Sequence, residues 1–430
     1  KKTADYVIVG NSVAAIAAVE AIRETDCDGS IIMVTKEGEM IYSRPMISYY
    51  LAGKVKLKNM RYREAGFYKQ HNIQLLAEKK VVKVEPKKNT VKLGDGSLIG
   101  YGRLLITTGG EPVNPPIKGA AVKGVFNFTT LQDAESISRF IKANDVKSAV
   151  ILGAGLIGLK AAEALLARKI KITIVELADR ILATTFDKKA SQIIDKALSK
   201  QGCRLELSDS IKQVISGKGK VTGVELLSGK KLDAQLVVIA IGVRPNIEIV
   251  KGSGIKVKRG IVVDNAMQTN ISNIYAAGDV AEAAGFFGGR KMVLAIWPDA
   301  YRQGRIAGAA MTGVKTRYQG GIVMNSVEIA SVPTISVGVT VLDGSEDNVE
   351  VLEKSDLKNS IYRKIVLKDD CLEGVILVGK IDRAGIYTGL IKDRVKTTSF
   401  KELLLNEDFG IISLPKDYRK HMVSDVPMMM

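Results

Sequence analysis

Val150-Ile151-Leu152-Gly153-Ala154-Gly155-Leu156-Ile157-Gly158 decides the reading of this chain, together with Glu176 at the end of the run Ile172-Thr173-Ile174-Val175. An apolar strand, a glycine-rich turn, a helix, a second strand and an acid 23 residues after the first glycine form one βαβ unit that holds a dinucleotide. Each glycine has its own task. Gly153 allows the tight turn, Gly155 lets the backbone approach a pyrophosphate, and Gly158 lets the helix pack on the strand. The helix beginning at Leu156 and Ile157 offers free N–H groups and a partial positive charge to the diphosphate. Glu176 accepts from the adenosine ribose hydroxyls and repels a 2′-phosphate, which favours NADH over NADPH. Arg180, four residues on, works against that preference.

A weaker copy of the pattern opens the chain. Val7-Ile8-Val9-Gly10-Asn11-Ser12-Val13-Ala14-Ala15 is followed by Glu37, after the apolar run Ile31-Ile32-Met33-Val34. Ser12 and Ala15 replace the second and third glycines, and both are small enough to keep the close approach. Alone, this stretch also reads as an ordinary strand–helix turn. Beside the second unit it points to two nucleotides held face to face, the arrangement that hydride transfer between nicotinamide and flavin requires.

Bulk properties narrow the chemistry. The 430 residues are 46% hydrophobic and 25% charged, ordinary values for a globular chain of two or three domains. No secretory leader and no apolar run long enough for a bilayer is seen, so a soluble, cytoplasmic protein is expected. Cys27, Cys203 and Cys371 are far apart and form no Cys-x-x-Cys pair, which argues against a cluster or structural zinc. His71 and His421 are too few for a metal centre or a triad and are expected at the surface. The chemistry therefore falls to a bound cofactor. The net charge of +17 reads as a lysine-rich solvated surface or as steering toward an acidic partner.

The pattern of runs predicts strands at residues 5–9 and 31–35 and a helix at 12–24. Leu104-Leu105-Ile106-Thr107-Thr108-Gly109-Gly110 reads as strand then turn. Leu236 to Asn246 echoes it, and Glu111 to Pro116 reads as a crossover linker. A helix is expected from Trp297 to Met311, rich in small residues for close packing. Further strands are expected at 335–342, 361–367 and 374–379, with 368–374 as a hairpin loop. Pro427-Met428-Met429-Met430 is expected to be a frayed tail.

With these motifs the chain resembles the pyridine-nucleotide:disulfide oxidoreductase superfamily, in the branch of NADH:rubredoxin reductases and the flavoprotein domain of NADH-dependent nitrite reductases. The resemblance is carried by both fingerprints, by Thr107-Thr108-Gly109-Gly110 and by Ala240-Ile241-Gly242-Val243-Arg244-Pro245-Asn246. Tyr42-Ser43-Arg44-Pro45-Met46 through Gly53 and Asn273-Ile274-Tyr275-Ala276-Ala277-Gly278-Asp279 add to it. It implies an α/β fold of two doubly wound Rossmann-like domains, glutathione-reductase-like, with a small α+β C-terminal domain. Residues 1–113 and 248–320 would bind FAD, 114–247 would be an inserted NAD(H) domain, and 321–430 would form a partner or dimer interface. The implied FAD set is Gly10, Ser12, Ala15, Glu37, Arg44, Pro45, Val81, Thr108, Gly109, Asp279 and Trp297, with Asp279 on the ribityl chain. The implied NAD set is Gly153, Gly155, Leu156, Ile157, Gly158, Glu176 and Gly242.

Two departures from the family matter. Pro45 stands where many relatives carry a redox-active cysteine, so no thiol sits beside the flavin and disulfide-reductase chemistry is disfavoured. Lys160 replaces a glutamate that lies near the nicotinamide in relatives; it is a candidate catalytic contact or a solvent-facing side chain. Arg44 is a candidate to stabilise reduced flavin, with a surface salt bridge as the alternative. The expected activity is electron transfer between NADH and an external carrier: a ferredoxin, a rubredoxin or an iron–sulfur subunit of a larger redox complex. The alternatives are an NADH oxidase giving hydrogen peroxide and an NADH-responsive flavoprotein that binds nucleic acid or protein. Nucleic acid is disfavoured, because no cluster of aromatic and basic residues stands out.

Overall fold

Parallel strands covered on both faces read as unbroken apolar runs. The first such run, Val7-Ile8-Val9, is the buried centre of a sheet. The computed structural model describes residues 2–419 except 39, 343 and 417; His421 and the expected tail at 427–430 lie outside the described residues. Strand Lys2–Val9 pairs in parallel with Ile31–Val34 on one side and Leu98–Ile106 on the other. Ile73–Leu76 extends the sheet past Ile31–Val34. The outer edge of Leu98–Ile106 is shared. Thr90–Leu93 takes one end antiparallel, and Ile274–Ala276, from much later in the chain, takes the other end in parallel. That late strand brings Ala277-Gly278-Asp279 into the sheet of the first glycine turn.

Helix Val13–Arg23 is alanine-rich because a second helix, Trp297–Met311, crosses it closely. A Cβ on Gly304 would lie 2.2 Å from Ala14 O, and one on Gly308 would lie 2.3 Å from Ala18 O. Only hydrogen fits at these two positions, so the small residues seen in the sequence set the interhelical distance.

The chain divides into two compact units, residues 1–116, 124–146 and 238–322 in one, and 117–123, 147–237 and 323–430 in the other. The second glycine unit thus groups with the C-terminal sheet, and helix Leu131–Asn144 groups with the first unit. In the second unit Ser148–Leu152, Lys171–Glu176 and Arg204–Leu207 are parallel neighbours. Ile211–Gly217, Lys220–Leu226 and Lys231–Asp233 form an antiparallel trio. The C-terminal sheet is antiparallel throughout, in the order Met324–Ile329, Val332–Gly338, Cys371–Val378, Ile361–Lys368, Val349–Asp356. Helix Ala384–Lys392 follows it.

Asp187 caps helix Lys188–Lys200, accepting from Ala190 N at 3.1 Å. The same carboxylate receives Tyr362 Oη at 2.7 Å and Lys364 Nζ at 3.2 Å from the C-terminal sheet. Burial and the neighbouring Asp187 and Glu353 carboxylates hold the Tyr362 phenol protonated, far above its ordinary range.

Three local expectations are corrected. The loop expected over 368–374 is only Asp369-Asp370, since Lys368 pairs with Cys371 across the hairpin. Both aspartates take the left-handed conformation, φ 49 and 60, that such a two-residue turn demands. The strand expected at 335–342 runs from Val332 to Gly338. It starts early because Ala330-Ser331 makes a second two-residue turn, φ 50 and 65, without the usual glycine or asparagine signal. The expected linker at 111–116 begins inside a short strand, Gly110–Pro112, which pairs antiparallel with Val243–Pro245. The two echoing segments are therefore partners.

Candidate functional site

The first glycine turn ends strand Lys2–Val9. Gly10 holds φ +131, and a Cβ there would lie 2.4 Å from Thr107 O, so the two strand ends close on each other without a side chain between them. Helix Val13–Arg23 then starts from Ser12, whose side chain makes no capping bond. Its first intrahelical bond is Ile16 N to Ser12 O at 3.0 Å, so the preceding N–H groups face outward as anion donors. Asn11 Nδ2 is buried with no hydrogen-bond partner among the described residues, while Asn11 Oδ1 accepts from Tyr68 Oη at 2.9 Å. An orphaned buried donor beside an uncapped helix start suits a diphosphate oxygen. Ala15 is fully buried in the helix interior.

Acids flank this turn. Glu37 Oε1 accepts from Arg44 Nη2 at 2.6 Å, and Oε2 accepts from Tyr42 Oη at 2.8 Å. Arg44 Nη1 also donates to Thr129 O at 3.1 Å, and Tyr42 Oη accepts from Leu131 N at 3.1 Å. Glu37, Tyr42 and Arg44 line one pocket with Asn11 and Ser12. Burial pushes the Asp279 carboxyl up; the charge of Arg44 opposes that rise and Asp299 adds to it. Arg44 thus pairs with Glu37 while standing within electrostatic reach of Asp279. The salt-bridge alternative for Arg44 is present, and it lies within the pocket. A carboxylate, an arginine and a bare helix start in one pocket, with the Asp279 carboxyl within electrostatic reach of that arginine, fit FAD.

The other expected FAD residues belong to the same compact unit but differ in exposure. Thr108 Oγ1 donates to Asn246 O at 2.7 Å, and Asn246 N donates to Gly109 O at 2.8 Å. Trp297 opens its helix, edge-on to the Tyr62 ring at 5.2 Å. Val81 is a buried member of the sheet core. Pro45 is exposed in the 3-10 turn Arg44–Met46. Cys27 Sγ lies 3.7 Å from Arg23 O, at the end of the first helix away from the glycine turn. Burial pushes the Cys203 thiol up to about 12, and Cys371 is also buried. His71, expected at the surface, is half-buried against the Phe67 ring at 4.4 Å.

In the second turn, Gly153 N donates to Val175 O at 2.8 Å and Gly155 is the extended N-cap of Leu156–Leu166. Leu156 and Ile157 are half-buried in the first turn and Gly158 is buried against the strand. Glu176 faces this turn with one oxygen and its own loop with the other: Oε2 accepts from Ala154 N at 2.6 Å and Oε1 from Ala178 N at 2.8 Å. Arg180 is held within its own loop, donating to Ala183 O at 3.1 Å, Phe186 O at 3.3 Å and Asp179 Oδ1 at 2.7 Å. Lys160 pairs with Glu163 at 2.6 Å and donates to Glu328 O at 3.0 Å, while Glu163 accepts from Ala330 N at 2.8 Å. It fastens the helix to the C-terminal sheet. Gly242 sits at φ +117 and accepts from Val113 N at 3.0 Å.

Asn11, Tyr42 and the Thr129–Leu131 backbone escaped the sequence reading. The legible signal for the last was Thr130 with Asp133 three residues on, a capping box that opens helix Leu131–Asn144. Among the described residues no group of acids, histidines and cysteines could hold a metal ion, and no helix is long and apolar enough to cross a membrane.

Comparison with known proteins agrees with this geometry. Residues 4–304 match the pyridine nucleotide-disulphide oxidoreductase family, and 324–395 match the rubredoxin NAD+ reductase C-terminal domain. The chain is 34% identical to the NADH-dependent phenylglyoxylate dehydrogenase subunit epsilon of Aromatoleum evansii, over 92% of this chain and 93% of that one. It is also 34% identical to an NADH oxidase of Methanocaldococcus jannaschii, over 80% and 77%. Putidaredoxin reductase, solved in covalent complex with putidaredoxin, superimposes with a TM-score of 0.86 at 25% identity, over 98% and 99%.

Proposed function

From the premise that this chain belongs to the pyridine nucleotide-disulphide oxidoreductase family and is an NAD(H)-dependent oxidoreductase with FAD and NADH as cofactors, we propose that it passes electrons between NADH and an acidic iron–sulfur or rubredoxin-type carrier, free or as a subunit of a larger redox complex. FAD, when bound, would supply the two-electron chemistry toward nicotinamide and the one-electron chemistry toward the carrier. The chain supplies binding and orientation. Asn11 and the start of helix Val13–Arg23 would hold the diphosphate, Glu37 and Asp279 would accept from sugar-type hydroxyls, and Arg44 would offset the negative charge of the group. Glu176 and the turn Gly153–Gly158 hold NADH. We further assign FAD to residues 1–113 and 248–320, NAD(H) to 114–247, and an interface with a partner subunit or a second copy of the chain to 321–430. The cytoplasm is the proposed compartment.

One observation carries the carrier reading. Residues 40–63 contain six cations, Arg44, Lys54, Lys56, Lys58, Arg61 and Arg63, and no acid. The excursion is closed at its base, with Ser43 N donating to Met60 O at 2.9 Å and Tyr62 N to Ile41 O at 2.9 Å. Its base holds Tyr42 and Arg44 of the nucleotide pocket. Its outer part exposes Lys54, Lys56 and Lys58 around Tyr49 and Leu57, which are 42% and 38% exposed. Lys54, Lys56 and Lys58, without an ion-pair partner among the described residues and interleaved with exposed apolar groups, next to the nucleotide pocket and with proline at the thiol position, suit docking of an acidic redox protein. Changing Lys54, Lys56 and Lys58 to Glu should lower kcat/KM for an acidic carrier by roughly tenfold or more at low salt, with NADH bleaching the flavin at the wild-type rate. An unchanged carrier rate would refute this docking face.

The likeness to an NADH oxidase favours one second reading, oxygen as the acceptor. Hydrogen peroxide production matching the carrier rate, turnover for turnover, would establish it.

A further inference from the structure

A carboxylate with no exposed surface must be compensated, because an unpaired buried charge is strongly destabilising. Asp299 is such a group, in the first turn of helix Trp297–Met311, where the positive helix end favours an anion. Tyr318 Oη lies 2.8 Å from each carboxylate oxygen, and Gln303 Nε2 donates to Oδ2 at 2.7 Å. Arg302 Nη2 is 3.8 Å from Oδ1. None of these contacts reaches the nucleotide pocket directly. The consequence lies one hydrogen bond further on. A carboxylate only accepts, so the Gln303 nitrogen must face Asp299 and the Gln303 oxygen must face away. Gln303 Oε1 accepts from Gly278 N at 2.9 Å, in a buried position. Gly278, at φ +78, leads straight into Asp279.

We propose that Asp299 is a positioning residue: it fixes the polarity of the Gln303 amide, which holds the Gly278 N–H and so presents the Asp279 carboxylate to FAD. This rests on Asp279 facing the cofactor. With asparagine at 299 either orientation of Gln303 finds a partner, and the flipped amide sets a donor against the Gly278 donor. With glutamate at 303 and aspartate at 299, two carboxylates meet. With asparagine at 299 and glutamate at 303, the Asn nitrogen donates to one glutamate oxygen and the other still accepts from Gly278 N–H. Tyr318 meanwhile keeps an acceptor.

The test is an FAD-binding and hydrogen-exchange comparison of the wild type with Asp299→Asn, Gln303→Glu, the double variant and Tyr318→Phe. Each of the two single changes at 299 and 303 should raise the FAD dissociation constant on the order of tenfold to a hundredfold. Each should also alter the visible circular dichroism of bound flavin and speed exchange of the Gly278 amide in FAD-free protein. The double variant should recover all three. Tyr318→Phe removes a donor to Asp299 without changing the polarity of Gln303, so it should lower Tm and leave FAD affinity near wild type. Wild-type affinity and exchange in Asp299→Asn, or a double variant no better than the weaker single, would overturn the proposal. If Asp299→Asn does not fold, the double variant decides: folded with FAD bound supports the lock, unfolded refutes it. A wild type that binds no FAD would strike the cofactor reading instead, and Gly278 exchange would then judge the lock by itself.

Discussion

Cofactor choice is decided by single side chains. One oxygen of Glu176 is held by the second glycine turn, on Ala154 N, and the other by the loop after its own strand, on Ala178 N. In the proposed ribose site a hydroxyl would add a donor to a carboxylate that is already oriented, and a 2′-phosphate would meet its charge. Replacing Glu176 by Ala should raise the KM for NADH about tenfold or more with little change in kcat, because the contact is made equally in ground and transition states. An unchanged KM would remove Glu176 from the ribose site. The same variant should not come to prefer NADPH, since Arg180 is spent on Ala183 O, Phe186 O and Asp179. Reversal of the NADH to NADPH ratio in kcat/KM would mean that Arg180 swings free. The place of Glu176 was legible, because strand and turn lengths fix an acid at that distance from Gly153. The engagement of Arg180 was not, because its partners include two backbone carbonyls in a loop that turns through Leu182 at φ 52. Asp299 and Gln303 are four residues apart on a helix, a visible spacing, but nothing in the chain announces that Gly278 lies on their far side.

Among elements, the crossing of Val13–Arg23 and Trp297–Met311 supports the pocket, since the first helix starts at the first glycine turn and the second carries Asp299 and Gln303. Gly304→Ala forces a methyl against Ala14 O. It should cost about 1–3 kcal/mol of stability and weaken FAD retention, read from thermal unfolding and from flavin released on dilution. Gly385→Ala is the contrast: a Cβ there meets nothing within 4 Å, so helix Ala384–Lys392 should gain up to about 1 kcal/mol. Similar losses in both variants would show that the crossing tolerates a methyl group. Strong periodicity and small-residue spacing made these two helices legible. Helix Leu131–Asn144 and strand Met324–Ile329 were missed for different reasons. The former buries only Ala134 and Ile137, so its apolar stripe is thin, and the latter ends in the Ala330-Ser331 turn, which lacks the usual residues.

Across the whole molecule, the sequence conveyed two nucleotide units and a terminal sheet, while the grouping of residues 124–146 with the first unit depends on contacts between distant segments that local patterns do not encode. Two global properties then separate thiol chemistry from direct electron exchange. Cys203 and Cys371 are buried and Cys27 sits at the end of the first helix away from its glycine turn, so Cys27→Ser with Cys203→Ala and Cys371→Ala should keep carrier reduction within about twofold. Collapse of that rate would make a sulfur relay necessary. The charge of +17 acts at longer range. Steering of an acidic protein by a basic surface weakens as the Debye length shortens from ~30 Å at 0.01 M to ~3 Å at 1 M salt. The kcat/KM for the carrier should therefore fall more than tenfold over a salt series in which the NADH half-reaction, measured by stopped-flow bleaching of the flavin, changes far less. Parallel salt curves for the two half-reactions would assign the charge to the solvated surface and leave the carrier to dock by shape and apolar contact.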